Sequence, residues 1–175
     1  MPTVADLLDV DLDQLAEPSV IAMSAVFAAA TFVGTLVITV PVGPGVFNVG
    51  EIVIYTAAFL FGGVVGGLAG GIGAAAADVA TGAFAFFAPF TLVVKGVEGF
   101  VVGQLAGESV ASKVVAALVG GSLMIVGYFL TVWFFYGLPA AVGSEFPIDV
   151  LQMVVGLVVS IPISQALQER LPRLG

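Results

Sequence analysis

Long apolar stretches alternate with brief polar punctuation along this chain. No Asp, Glu, Lys or Arg occurs in segments 18–50, 52–77, 79–94, 114–144 or 150–168. A hydrocarbon core of about 30 Å takes roughly 20 helical residues to cross, so these runs together hold about six spans. In lipid the backbone must satisfy its own hydrogen bonds, which leaves helices or a closed barrel. Barrel strands alternate polar and apolar positions, and these runs do not. The pattern predicts an all-α membrane protein, a six-transmembrane-helix bundle.

Pro and Gly place the breaks. Pro41, Gly43, Pro44 and Gly45 end a first helix over 19–40 and make 41–50 a loop. The apolar block 49–88 is long enough for two helices with a hinge near Gly62–Gly63. The second helix, 49–61, is then short, and the third runs to about 84. Pro89 opens the fourth, where its missing N–H costs little, and this helix ends near 105. A polar loop over 107–113 precedes a fifth helix, 114–136. A loop over 137–147 leads to a sixth, 148–168. Three regions result: an acidic segment 1–18, a transmembrane domain 19–168 and a tail 169–175. In the first, Val4, Leu7, Leu8, Leu12 and Leu15 fit one face of a short helix. It carries no Lys or Arg, unlike a secretory signal, and reads as a cytoplasmic cap. Six spans put both termini on one side. Lys113, Arg170 and Arg173 share it, and basic residues favour the cytoplasm, so the predicted location is the cell membrane with cytoplasmic termini.

Composition narrows the chemistry. The chain is 60% hydrophobic and 9% charged, with no Cys and no His. That removes thiol catalysis, disulfides and the usual zinc sites. Four Lys plus Arg are too few for a phosphate-binding surface, so nucleic acid is excluded. No GxxxxGK[ST] loop, nucleophile motif or metal-ligand cluster is present. The expectation is a non-enzyme without cofactor. The net charge of −8 is consistent with a salt-rich cytoplasm, where acidic surfaces stay hydrated.

Ionisable residues within a membrane are costly and face a cavity or a partner. Glu51, Asp78 and Lys95 fall in the outer half of the predicted bundle, with Glu98 deeper and one helical turn from Lys95. Asn48 lies in the adjoining Gly/Pro-rich loop. Tyr128 and Trp133 stand toward the outer end of the fifth helix, where Trp133 reads first as a membrane-face belt residue and alternatively as part of a stacking wall for a flat ligand, and Gln152 stands near the outer end of the sixth. Three readings are open: a packing network locked by Lys95, a ligand site in which Lys95 meets a ligand oxygen and the aromatics stack a ring, or an ion path. Glycine recurs at spacing four, as Gly62, Gly66, Gly70, as Gly63, Gly67, Gly71, and as Gly99, Gly103, Gly107. Such ladders let helices approach closely in lipid, and internal packing is the plain reading. Ala22, Ala25 and Ala29 form a similar small-residue surface on the first helix, for packing or for a partner membrane protein.

Four pieces in order carry a resemblance: Asn48-Val-Gly-Glu51, Phe61-Gly-Gly, Gly71-Ile-Gly-Ala-Ala-Ala-Ala-Asp78 and Ala88-Pro-Phe-Thr-Leu-Val-Val-Lys95-Gly-Val-Glu98-Gly. Over about 19–168 the chain resembles the substrate-binding S components of energy-coupling factor (ECF) vitamin transporters, in the branch for riboflavin and related ring compounds. The resemblance implies a six-helix bundle with a ligand pocket in its outer half, lidded by the loop after helix 1. It implies capture of a water-soluble vitamin or precursor, riboflavin-like or pyrimidine-like, and ATP-driven uptake with a transmembrane coupling protein and two ATPase subunits. Small residues of helix 1 meet the coupling protein in that family, and Ala25-Val-Phe-Ala-Ala29 with Ala22 matches them here. Many members have Gly-Pro at the hinge where this chain has Gly62-Gly63. The residues expected to bind substrate are Asn48, Glu51, Asp78, Lys95, Tyr128, Trp133 and Gln152. The alternatives are an assembly protein with a packing-only charge network and an ion-coupled solo transporter.

Overall fold

The structure is a computed structural model that describes residues 16–170. The expected N-terminal helix face and Arg173 lie outside the described residues. Five helices are long and apolar enough to cross a membrane. They are α1 (Pro18–Val37), α2 (Gly50–Thr81), α3 (Ala88–Leu105), α4 (Val110–Tyr136) and α5 (Phe146–Gln168). A short helix, Leu138–Ala140, and a π-helical turn, Ala141–Glu145, lead directly into α5. Segment 137–147, expected as a loop, is thus almost wholly helical. Pro139 and Pro147 sit in the first turns of their helices, where a proline breaks no hydrogen bond, so they do not mark a loop.

The polarity of α1 is inside out. The buried residues of α1 are Ser24, Thr31 and Thr35, whereas Ile21, Val26, Val33 and Val37 are exposed. Phe134, at 82% exposure, and Val158 likewise face outward. Apolar side chains gain nothing by avoiding lipid, so the hydroxyls are the groups turned inward.

The 32 residues of α2 would make a straight rod of about 48 Å, well beyond a membrane core. Gly62 interrupts it with φ 82° and ψ −173°, a region open essentially to glycine alone. The chain folds back there. A Cβ on Gly66 would sit 2.8 Å from that of Ala58, and one on Gly70 would lie 3.2 Å from Ile54 Cγ2. In a straight helix those pairs would be about 12 and 24 Å apart. Gln168 Nε2 donates to the Phe59 carbonyl at 3.4 Å, supplying a partner where the break removes one. Gly62→Ala should therefore lose about 1–3 kcal/mol, read as a lower melting temperature of the detergent-purified protein.

Both glycine rows of α2 pack inside the bundle against α3. Cβ atoms on Gly63, Gly70 and Gly71 would come 2.6, 2.6 and 2.7 Å from the carbonyl oxygens of Phe100, Lys95 and Leu92. Gly103 lies directly against the backbone of Gly62. The plain packing reading of the ladders holds for these rows, while Gly107 falls beyond the end of α3.

Segment 41–50, expected as a loop, is mostly hairpin: β1 (Thr39–Val42) pairs antiparallel with β2 (Gly45–Asn48), in the register Thr39↔Asn48 to Val42↔Gly45. The first helix accordingly stops at Val37 rather than near 40. Gly43, at φ 60°, followed by φ-restricted Pro44, fits the II′ turn that suits two-residue hairpins.

Candidate functional site

The hairpin closes one end of the bundle. Asn48 Oδ1 accepts from the Gly50 N–H at 2.9 Å, an Asx turn that starts α2. The Asn48 N–H donates to Gln152 Oε1 at 3.1 Å, tying the ribbon to α5. Its tip rests on the π turn: a Cβ on Gly43 would meet Ser144 Oγ at 2.8 Å, and Gly45 lies against the Glu145 carboxylate. A side chain at either glycine would force Ser144 or Glu145 to move aside or the ribbon to shift.

Beneath the ribbon, Glu51 in the first turn of α2 meets Lys95 of α3 in a buried ion pair. Glu98 Oε2 lies 3.4 Å from the same ammonium, and Tyr55 donates to Glu98 Oε1 at 2.8 Å. Lys95 Nζ also touches Met124 Sδ and stands 5.5 Å from the centre of the Tyr128 ring. Tyr128 donates to Thr91 Oγ1 at 3.1 Å. Lys95 and all its partners are buried.

A cavity of about 40 Å³ lies between this network and the ribbon, room for roughly three waters. Its polar wall is Asn48, Asp78, Lys95, Glu145, Asp149 and Gln152. Its aromatic wall is Phe84, Phe87 and Tyr128, with Phe87 in turn stacked on Tyr136 at 11° and 6.0 Å. Gln152 Nε2 donates to Asp149 Oδ1 at 3.3 Å. Asp149 Oδ2 and Glu145 Oε2 are buried without a hydrogen-bond partner.

Asn48, Asp78, Lys95, Tyr128 and Gln152 therefore meet around one cavity. Glu51 stands one layer behind, on Lys95. Trp133 does not join them: it is 49% exposed, packed against Phe129 at 6.1 Å on the outside of α4. Glu145, Asp149, Phe84 and Phe87 were absent from the sequence-based set. Glu145, Asp149 and Gln152 are spaced four and three apart, which is one helix face. The prolines that made 137–147 read as a loop left Glu145 out of that face, while Asp149 and Gln152 already fell in the expected sixth helix. Phe84 and Phe87 carry no such mark among 14 phenylalanines. Ala22, Ala25 and Ala29 are exposed on α1.

The far end of the bundle holds a smaller polar cluster. Lys113 Nζ lies 3.2 Å from Ser164 Oγ and 3.3 Å from Gln168 Oε1, with the Phe59 ring 5.6 Å away. It braces α4 against α5 beside the fold-back at Gly62.

Comparison with known proteins gives the same direction. Residues 17–169 match the family model described as ECF-type riboflavin transporter, S component. A Pyrococcus woesei protein, described as uncharacterized in the gap 3′ region, is 38% identical over 136 residues, 77% of this chain and 90% of its own length. The thiamine precursor transporter HmpT of Lactococcus lactis subsp. cremoris (strain MG1363) is 28% identical over 148 residues, 82% of this chain and 84% of its own. The family is one of substrate-binding transport components rather than enzymes, and its members work in membranes with ECF module partners. With a family match over nearly its full length and several spans apolar enough for a bilayer, this chain is a multi-pass membrane protein that belongs to the S components of ECF-type riboflavin transporters.

Proposed function

We propose that the chain captures a water-soluble vitamin or vitamin precursor from outside the cell and holds it beneath the hairpin for uptake driven by a coupling protein and two ATPase subunits. The observation that carries this reading is the polar cavity under a hairpin lid, in a bundle whose exterior is otherwise apolar. Proposed contacts are Asn48, Asp78, Lys95, Tyr128 and Gln152, with Glu51 holding Lys95 in place. Trp133 is reassigned to the lipid face. The cavity is far smaller than the 300–1,000 Å³ or so of ordinary ligand pockets. Binding must therefore lift the ribbon from Ser144 and Glu145.

With the fold-back at Gly62 counted as two passes, the chain crosses six times. Both ends then lie opposite the cavity, in the cytoplasm by the basic-residue rule. The exposed row of Ala22, Ala25 and Ala29 offers a surface where another helix packs closely, and we assign it to the coupling protein.

The test is a thermal-shift panel of water-soluble vitamins and precursors on purified protein, with mass spectrometry of any co-purifying molecule. One compound should stabilise the protein, by about 2.7 kcal/mol at one hundred times its Kd. Liposomes holding this chain alone should show no uptake. Failure of every compound would favour an assembly role with a packing-only charge network. Uptake by the chain alone would favour a solo transporter.

A further inference from the structure

The charge balance around the cavity is lopsided. Glu51, Asp78, Glu98, Glu145 and Asp149 supply five carboxyl groups, and Lys95 is the one basic residue among them. Lys95 is already engaged by Glu51 and Glu98. Among the described residues, Asp78, Glu145 and Asp149 form no ion pair, and all three line the cavity.

Two of these groups are short of partners. Glu145 is 5% exposed and Asp149 1%, yet Glu145 Oε2 and Asp149 Oδ2 accept no hydrogen bond. A buried carboxyl group without a partner is costly, and unmatched buried groups in a native protein call for an explanation. Glu145 and Asp149 line the same cavity as Phe84, Phe87 and Tyr128, whose ring faces also favour positive charge, and Glu145 Oε2 lies directly under Gly45 of the ribbon. An anionic ligand would meet three carboxyl groups and an ammonium that is already taken. No described group of three or more Asp and Glu is arranged to hold a metal ion, so an organic ligand is the better match.

Resting on the capture role proposed above, we infer that the cavity selects a heterocycle bearing an amine, which donates N–H groups to Glu145 and Asp149 while its ring lies against Tyr128 and Phe87. Asp78 closes the polar side. The ring of a neutral flavin carries a single N–H and no amine, and an acid is repelled by this wall.

The experiment compares matched pairs on the purified full chain by calorimetry: thiamine with oxythiamine, and pyridoxamine with pyridoxine, in each of which a hydroxyl or oxo group replaces an amine. Riboflavin serves as the neutral reference and nicotinate as the anion. The amine member should bind at least tenfold tighter in one pair or both. Glu145→Gln and Asp149→Asn should each erase most of that preference. The melting temperature without ligand shows which variants are folded, and the wild-type ratio stands independently of them. Binding of riboflavin or nicotinate with no amine preference would overturn the inference and leave the capture role intact. An amine preference untouched by both folded variants would overturn the assignment to Glu145 and Asp149. If no compound in this panel or the wider vitamin panel binds, the capture role falls, and this inference with it.

Discussion

Gly99→Val is expected to abolish recovery of folded protein. A Cβ at Gly99 would overlap the Gly66 carbonyl. In the opposite direction, one on Gly66 would come 2.6 Å from the Gly99 oxygen. The obstacle at both positions is backbone, which has no rotamer to move aside. Overpacking a well-fitted core costs about 1–3 kcal/mol when side chains can adjust. Here α2 and α3 must separate, which breaks contact along every rung from Gly63 to Gly71. Helices in lipid are held by close packing rather than by escape from water, so the loss is not recovered elsewhere. The measurement is the monodisperse fraction on size-exclusion chromatography, with the melting temperature of whatever is recovered. Gly143, where nothing lies within 4 Å of an added Cβ, is the control, and Gly143→Ala should behave as wild type. A Gly99→Val protein that purifies normally and melts at the wild-type temperature would refute the close approach of the two helices.

The second large effect concerns Lys95. Lys95→Met should destabilise by about 3–5 kcal/mol, the usual result of breaking a buried pair from one side, because Glu51 and Glu98 lose their shared counter-charge. The triple variant Lys95→Met, Glu51→Gln, Glu98→Gln should recover part of that loss, since it leaves no uncompensated buried charge. Tyr55 can still donate to the amide oxygen at position 98. Thermal unfolding of the two proteins in detergent separates the cases. A triple variant no more stable than the single one would mean that Lys95 acts mainly through Met124 and Tyr128, by packing and cation–π contact, rather than as a counter-ion.

Membrane character and the fold-back were legible in the sequence because both depend on simple physics. Charge-free runs must be spans, and Gly62-Gly63 is the first of three Gly-Gly pairs in block 49–88 where a chain too long for one crossing can turn. Likewise Glu51, Asp78 and Lys95 stand out because ionic groups are scarce in such runs. The hairpin was hidden because Thr39 and Val40 are apolar enough to extend a helix, and its II′ turn needs only Gly43-Pro44. The helical start of α5 was hidden for the opposite reason. Pro139, Gly143 and Pro147 look like breakers, yet each proline falls in a first turn, and the π turn absorbs the remaining residues. That misreading removed Glu145 from the candidate set, whereas Asp149 stood in the first turn of the expected sixth helix and was passed over as a helix-end charge. Trp133 admitted two readings, a membrane-face belt residue or a stacking wall, because helix phase near the end of a 27-residue helix is set by packing that the local sequence does not display; its exposure agrees with the belt.

The chain has one tryptophan, and it stands outside the bundle. Its fluorescence is therefore a gauge of the surroundings rather than of occupancy. Emission from Trp133 will respond to detergent exchange, to brominated acyl chains or to a neighbouring subunit, while a solute at the carboxyl wall makes no contact with the indole, which does not line the cavity. Optical titrations of this protein need an added reporter on the ribbon, and the native indole is best reserved for following reconstitution.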